Sequence, residues 1–186
     1  MKKILTTLIL STLIMTSFTV HAESMNKCLR GWEATETGKH QEAITLFEEC
    51  INQGNLSNKH LARTYRNLGI TYRRLHEFNK SVLSYNKAID LNPDDVVNDY
   101  INRGNAYDQN DKFEEALADY DTALKLKPNY DEAHYNKGIF YEHNKMFDKA
   151  KSEFMLAYQN GLRSSDLYDR FIVYGLIKEL PFTWLK

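Results

Sequence analysis

Proline and glycine are scarce: three prolines and eight glycines in 186 residues. That excludes a collagen-like or loop-rich chain and favours long regular elements. Cysteine is scarcer still, with two residues, too few to staple a small disulfide scaffold or to hold a structural zinc without other ligands. Neither sign of charge dominates, since 24 basic and 25 acidic side chains leave a formal charge of −1. Nucleic-acid binding would need a strongly basic face, and composition gives no case for it. Beyond the first 20 residues no apolar run could span a bilayer. Gly-rich phosphate loops, G-x-S-x-G and H-E-x-x-H are all missing. The six histidines are scattered, and acidic pairs such as Glu48-Glu49, Asp94-Asp95 and Glu114-Glu115 fit solvated helix faces and turns. The expectation is a chain without catalytic machinery, cofactor or metal.

What is present begins with a distinct leader. Lys2 and Lys3 precede an apolar stretch from Ile4 to Val20, and Val20-His21-Ala22 places small or β-branched residues before Glu23. This pattern predicts a secretory signal peptide over residues 1–22, cut before Glu23, with an uncleaved anchor as the alternative. The short basic start points to bacterial export, to the periplasm or medium. Without residues 1–22 the chain loses Lys2 and Lys3 and no acid, leaving 22 basic and 25 acidic side chains and a formal charge of −3.

The rest is repetitive. Tyr65, Leu68-Gly69, Tyr72, Phe78, Ser81, Tyr85, Ala88 and Leu91-Asn92-Pro93 recur as Tyr100, Arg103-Gly104, Tyr107, Phe113, Ala116, Tyr120, Ala123 and Leu126-Lys127-Pro128. A third copy runs His134, Lys137-Gly138, Tyr141, Phe147, Ala150, Phe154 and Ala157. With each glycine numbered 8, positions 4, 7, 8 and 11 lie on one helix face, and positions 17, 20, 24 and 27 on a second. Short turns join the two: Leu75-His76-Glu77, Asn110-Asp111-Lys112 and Asn144-Lys145-Met146. Glycine costs roughly 1 kcal/mol in a helix interior, so its return at position 8 implies close approach of another helix. The residue expected to face it, at position 20, is always small: Ala43, Ser81, Ala116, Ala150. The aromatics at positions 11, 17 and 24 are then expected to fill gaps between neighbouring hairpins.

The glycines Gly69, Gly104 and Gly138 are 35 and 34 residues apart, and in period and register the chain resembles the tetratricopeptide repeat (TPR) family. The resemblance implies an all-α, right-handed α-solenoid of four helix-turn-helix repeats and a capping helix. The expected organisation is repeat one at 24–57, two at 62–95, three at 97–130 and four at 131–164, then a capping helix at 165–180 and a tail at 181–186. Repeat one is degenerate: Gly31, His40, Ala43, Phe47 and Cys50 fit, but Lys27 and Ala34 stand where the others carry rings or histidine, and Trp32 follows the glycine. His40 and His134 are read as packing residues. The last helix carries Leu167, Tyr168, Phe171, Ile172, Val173, Tyr174, Leu176 and Ile177, and the tail adds Phe182, Trp184 and Leu185. Either the tail covers this excess or the end is a contact surface.

Cys28 and Cys50 fall at the same end of the first hairpin, at positions 5 and 27. An even count in an exported chain predicts a disulfide, with a pair of buried thiols as the alternative.

The family resemblance implies a protein or peptide partner held in a concave groove lined by positions 2, 5, 6, 9, 12 and 13 of each first helix. Here these include a basic set, Arg63, Arg66, Arg73 and Arg74, and an acidic set, Asp108, Glu132 and Glu142. Between them come Asn67, Asn98, Asn102, Asn105 and Asn136, able to bond an extended peptide, with Ile70, Ile101, Tyr135 and Ile139 as apolar surface. Four arginines on one face without an acidic partner predict an acidic segment in the ligand. The carboxylate clamp of some relatives is not matched: the corresponding positions hold Cys28, Trp32, Asn67, Asn98 and Asn102, or Arg66, Ile70, Asn102, Glu132 and Asn136. The alternative functions are a self-assembling or docking subunit acting through the apolar C-terminal helix, and a regulator of a periplasmic enzyme.

Overall fold

The computed structural model describes residues 22–54, 56–92 and 95–179; the expected leader up to His21 and the tail lie outside them. Helix α1 spans 22–36. It is followed by α2 (His40–Asn52), α3 (Asn58–Arg74), α4 (Phe78–Leu91), α5 (Val97–Asp108), α6 (Phe113–Leu126), α7 (Asp131–His143), α8 (Phe147–Gln159) and α9 (Ser165–Val173), then a 3-10 turn at Leu176–Glu179. Among the described residues there is no strand. Two compact units form, one ending at Asp99 and the other beginning at Tyr100.

In the first unit the buried faces of α1, α2 and α3 meet in a core of Ala34, Ala43, Ile44, Leu46, Phe47, Leu68 and Tyr72. The second unit buries Tyr120, Phe140, Tyr141, Phe154, Leu167 and Phe171 around Ala116, Ala123, Ala150 and Ala157.

The repeated glycines meet a ring in addition to the small residue expected to face them. A Cβ on Gly31 would come within 2.8 Å of the Phe47 ring, on Gly69 within 2.9 Å of Tyr85, on Gly104 within 3.0 Å of Tyr120, and on Gly138 within 2.5 Å of Phe154. The ring at position 24 therefore lies on the glycine of its own hairpin rather than only in the gap beside the next one. The small residue at position 20 lets the helices close: Ser81 is buried and its Oγ donates to the Gly69 carbonyl at 2.8 Å.

Each first helix ends alike. Position 15 has positive φ in all four hairpins: Gly38 at 77°, His76 at 60°, Asp111 at 56° and Lys145 at 58°. This left-handed residue reverses the chain. The N–H after it bonds back to the helix: Lys39 to Ala34 O, Glu77 to Tyr72 O, Lys112 to Tyr107 O and Met146 to Tyr141 O, at 2.8–2.9 Å. Only the first hairpin uses glycine there.

Cys28 and Cys50 form a disulfide between α1 and α2, with Cα atoms 5.5 Å apart. The bond ties down a helix that lacks the large residues other repeats use at positions 4 and 11. At the other end, Ser164 caps α9 by accepting from Leu167 N at 3.2 Å. The expected helix to residue 180 stops at Val173, because Gly175 takes φ 69° and a 3-10 turn follows.

Candidate binding surface

The residues assigned to the groove divide into those the chain engages itself and those left facing outward. In the first unit, Arg66 meets Asp99 in a two-pronged pair, Nε to Oδ1 at 2.6 Å and Nη2 to Oδ2 at 2.8 Å, and also donates to the Asp95 carbonyl at 2.9 Å. Asp99 is fully buried. Its hydrogen bond strengthens the protonated state of Arg66, outweighing burial. Arg74 donates to the Thr35 carbonyl at 2.8 Å and to Glu36 at 3.2 Å. The premise that four arginines lack an acidic partner is thus corrected: two have one. Arg63 and Arg73 make no ion pair with any described residue. Arg63 is exposed, and Asn67, Ile70 and Arg73 are half-buried.

Tyr85 lies beneath Arg73. Burial raises the Tyr85 pKa and the nearby Arg73 charge lowers it, with the burial effect the larger. The two do not form a hydrogen bond of good geometry: Tyr85 Oη and Arg73 Nε are both buried without a partner among the described residues. In repeat three the equivalent Tyr120 donates to Asn105 Oδ1 at 2.6 Å, and Asn105 Nδ2 donates to Asn136 Oδ1 at 3.0 Å. Repeat two has Ile70 where repeat three has Asn105, so the acceptor is missing.

The acidic set in the second unit is also engaged. Asp108 pairs with His143 Nδ1 at 2.9 Å. Glu142 accepts from Arg170 at 2.6 Å and from the Tyr174 hydroxyl at 2.8 Å. Burial and then that bond push the Tyr174 phenol up to about 12. Glu132, exposed, accepts from the Tyr130 hydroxyl at 2.7 Å. Ile101 is 5% exposed and so supplies core, not apolar surface; this corrects its assignment to the groove. Tyr135 packs beside Phe154 at 5.8 Å. Asn102 and Ile139 are half-buried and Asn98 is exposed.

Sequence reasoning missed a recurring ion pair inside the hairpins. Arg103, at position 7, meets Asp119, at position 23, through two bonds of 2.8 and 2.7 Å. Lys137, also at position 7, reaches Glu153, again at position 23, at 3.2 Å, and Asp121 at 2.8 Å. Repeat two instead has Leu68 and Ser84. The joint exchange of an uncharged pair for a cation and an acid 16 residues on was the available signal. His134 does more than pack: its nitrogens meet Glu153 Oε2 at 2.7 Å and the Pro128 carbonyl at 2.9 Å.

Among the described residues no group of His, Cys, Asp and Glu could hold a metal ion, and no helix is long and apolar enough to cross a membrane.

Family models described as tetratricopeptide repeat match residues 34–94 and 131–159, and one described as TPR repeat matches 104–144, together more than half of the chain. No curated protein sequence matches. Among solved structures, BtubC from P. vanneervenii aligns with a TM-score of 0.68 at 20% identity, over 86% of this chain and 73% of that one. MamA from Desulfovibrio magneticus RS-1 aligns at 0.63 and 17% identity, over 74% and 75%. YrrB, described as a TPR protein with an unusual peptide-binding site, aligns at 0.58 and 20% identity, over 70% and 65%. Likeness at this identity bears on the fold, an all-α helical solenoid. With the repeat register, the shared hairpin turn and these matches, the chain belongs to the tetratricopeptide repeat family.

Proposed function

We propose that this protein is an exported, non-enzymatic scaffold that holds a segment of a protein partner against the first-helix face of its first unit. TPR proteins bind proteins or peptides, and YrrB is described as having a peptide-binding site. The observation that carries the reading is α3: its 17 residues hold Lys59, Arg63, Arg66, Arg73 and Arg74 and no acid. Two of those arginines are neutralised within the chain, while Arg63 and Arg73 make no ion pair among the described residues and would meet an acidic segment. Such contacts steer association and weaken with salt. Export is supported by the leader pattern of residues 1–22 and by the Cys28–Cys50 bond, which suits an oxidising compartment.

The test is capture of the partner from bacterial envelope extract by the protein and by an Arg63→Glu/Arg73→Glu variant. Arg66 is excluded from the variant because a carboxylate there would face buried Asp99 and unfold the hairpin. Equal capture by a folded variant, or capture indifferent to salt, refutes the reading. Peptides with a free and an amidated C-terminus should bind alike, since the sequence does not match the carboxylate-clamp positions of some relatives.

A second reading rests on Ile172 and Val173, 52% and 75% exposed on the last turn of α9. They suit self-association or docking, and a monomer by sedimentation at high concentration removes the self-associating form.

A further inference from the structure

Between α1 and α3 lies a cavity of about 190 Å³. Met25, Leu29 and Trp32 line it from α1, and His60, Arg63 and Asn67 from α3. Leu29 is 56% exposed and Trp32 47%. These are the groove positions 6 and 9, which in repeats two to four hold Asn67, Asn102 and Asn136 at position 6, and Ile70, Asn105 and Ile139 at position 9. Repeat one has given up large residues on its packed face, at Lys27 and Ala34, and carries large apolar ones on its open face. Loss of packing at a terminal repeat does not account for that exchange. Cys28, held to Cys50, forms part of the same wall, so the disulfide fixes the helix that presents Leu29 and Trp32.

We infer that this cavity receives one aromatic or branched aliphatic side chain of the partner, carried on an acidic extended segment. The size fits: a cavity of about 150 Å³ lined by apolar side chains holds benzene. The charge fits as well. Arg63 stands exposed at the wall, and the first turn of α3 holds no acid. Burying the anchor covers Leu29 and Trp32, and Arg63 meets the neighbouring carboxylates. The inference rests on the acidic-segment reading above and adds the anchor to it.

The chain has two tryptophans. Trp184→Phe leaves Trp32 as the sole tryptophan and a reporter inside the cavity. The probe is the capped peptide Asp-Glu-Phe-Glu-Asp, set against a control with Ser for Phe and a control with Asn and Gln for the acids, all titrated into the purified full chain. The Phe peptide should shift Trp32 emission saturably, and the Ser control should bind about tenfold more weakly or worse, from loss of one buried side chain. Leu29→Asp should weaken the Phe peptide to the level of the Ser control with an unchanged circular dichroism spectrum and melting curve. If the Phe and Ser peptides bind alike and Arg63→Glu weakens both, the anchor is wrong and the acidic-segment reading survives. If the neutral Phe peptide binds as well as the acidic one, the charge is wrong and the apolar site survives. Absence of binding by the Phe peptide overturns the inference. So does a Trp32 emission that stays fixed until residues 1–22 are removed, which would identify the chain's own leader as the occupant.

Discussion

Tyr85→Phe and Tyr120→Phe remove the same atom from the same position of adjacent repeats, yet only the Tyr120 change should cost stability. Tyr120 gives up a 2.6 Å bond to Asn105, whose Oδ1 is left without that donor. Loss of a neutral hydrogen bond costs about 1 kcal/mol, and the stranded acceptor raises this toward about 2. Tyr85 loses no well-formed bond, because its hydroxyl is buried beside the Arg73 guanidinium without a partner of good geometry among the described residues. Removing an unsatisfied buried hydroxyl should be neutral or stabilise by up to about 1 kcal/mol. The measurement is urea unfolding at neutral pH, followed by circular dichroism, with midpoint shifts converted through a common slope. Ile70→Asn closes the argument by placing in repeat two the acceptor that Asn105 supplies in repeat three. Its effect should be more favourable by about 1 kcal/mol with Tyr85 present than in combination with Tyr85→Phe. Equal losses for the two tyrosine variants, or no coupling between Ile70→Asn and Tyr85→Phe, would refute the account of Tyr85 as an orphaned donor.

Other outcomes follow from the hairpin geometry. Gly138→Ala should destabilise by about 1–2 kcal/mol, since crowding of Phe154 at 2.5 Å outweighs the roughly 1 kcal/mol by which alanine favours a helix; a more stable variant in a thermal melt would contradict this. Lys145→Gly should stabilise by about 1 kcal/mol by relieving a left-handed residue at φ 58°, read as a higher urea midpoint. Cys50→Ala should cost about 3 kcal/mol for a bond spanning 22 residues, and thiol titration of the denatured exported protein should find no free thiol. Tyr174, raised to about 12 by burial and Glu142, ionises later in the folded chain than the roughly 10 of a free tyrosine. Its contribution to stability is therefore full below about pH 10 and is lost as pH rises through about 12, a loss that Tyr174→Phe should remove from the alkaline unfolding curve.

The local sequence determined the helices, the turns between them and the family. A 34-residue register of glycine, small residue and ring is a local pattern, repeated often enough that no single exception hides it. The pairing of Cys28 with Cys50 was legible for the same reason: two antiparallel helices of one hairpin fix which residues share an end. What the sequence did not determine was which polar side chains remain available to a partner. Arg66 and Arg74 looked equivalent to Arg63 and Arg73 as members of one helix face. Only the tertiary structure brings Asp99 against Arg66 and Glu36 against Arg74, because those contacts join residues 33 and 38 positions apart on different helices. Ile101 looked like groove surface from its position number and is core by burial. The cavity beside Trp32 likewise belongs to two helices at once: repeat position says which face a residue occupies, and packing against the neighbouring helix decides whether that face is filled, paired or left open.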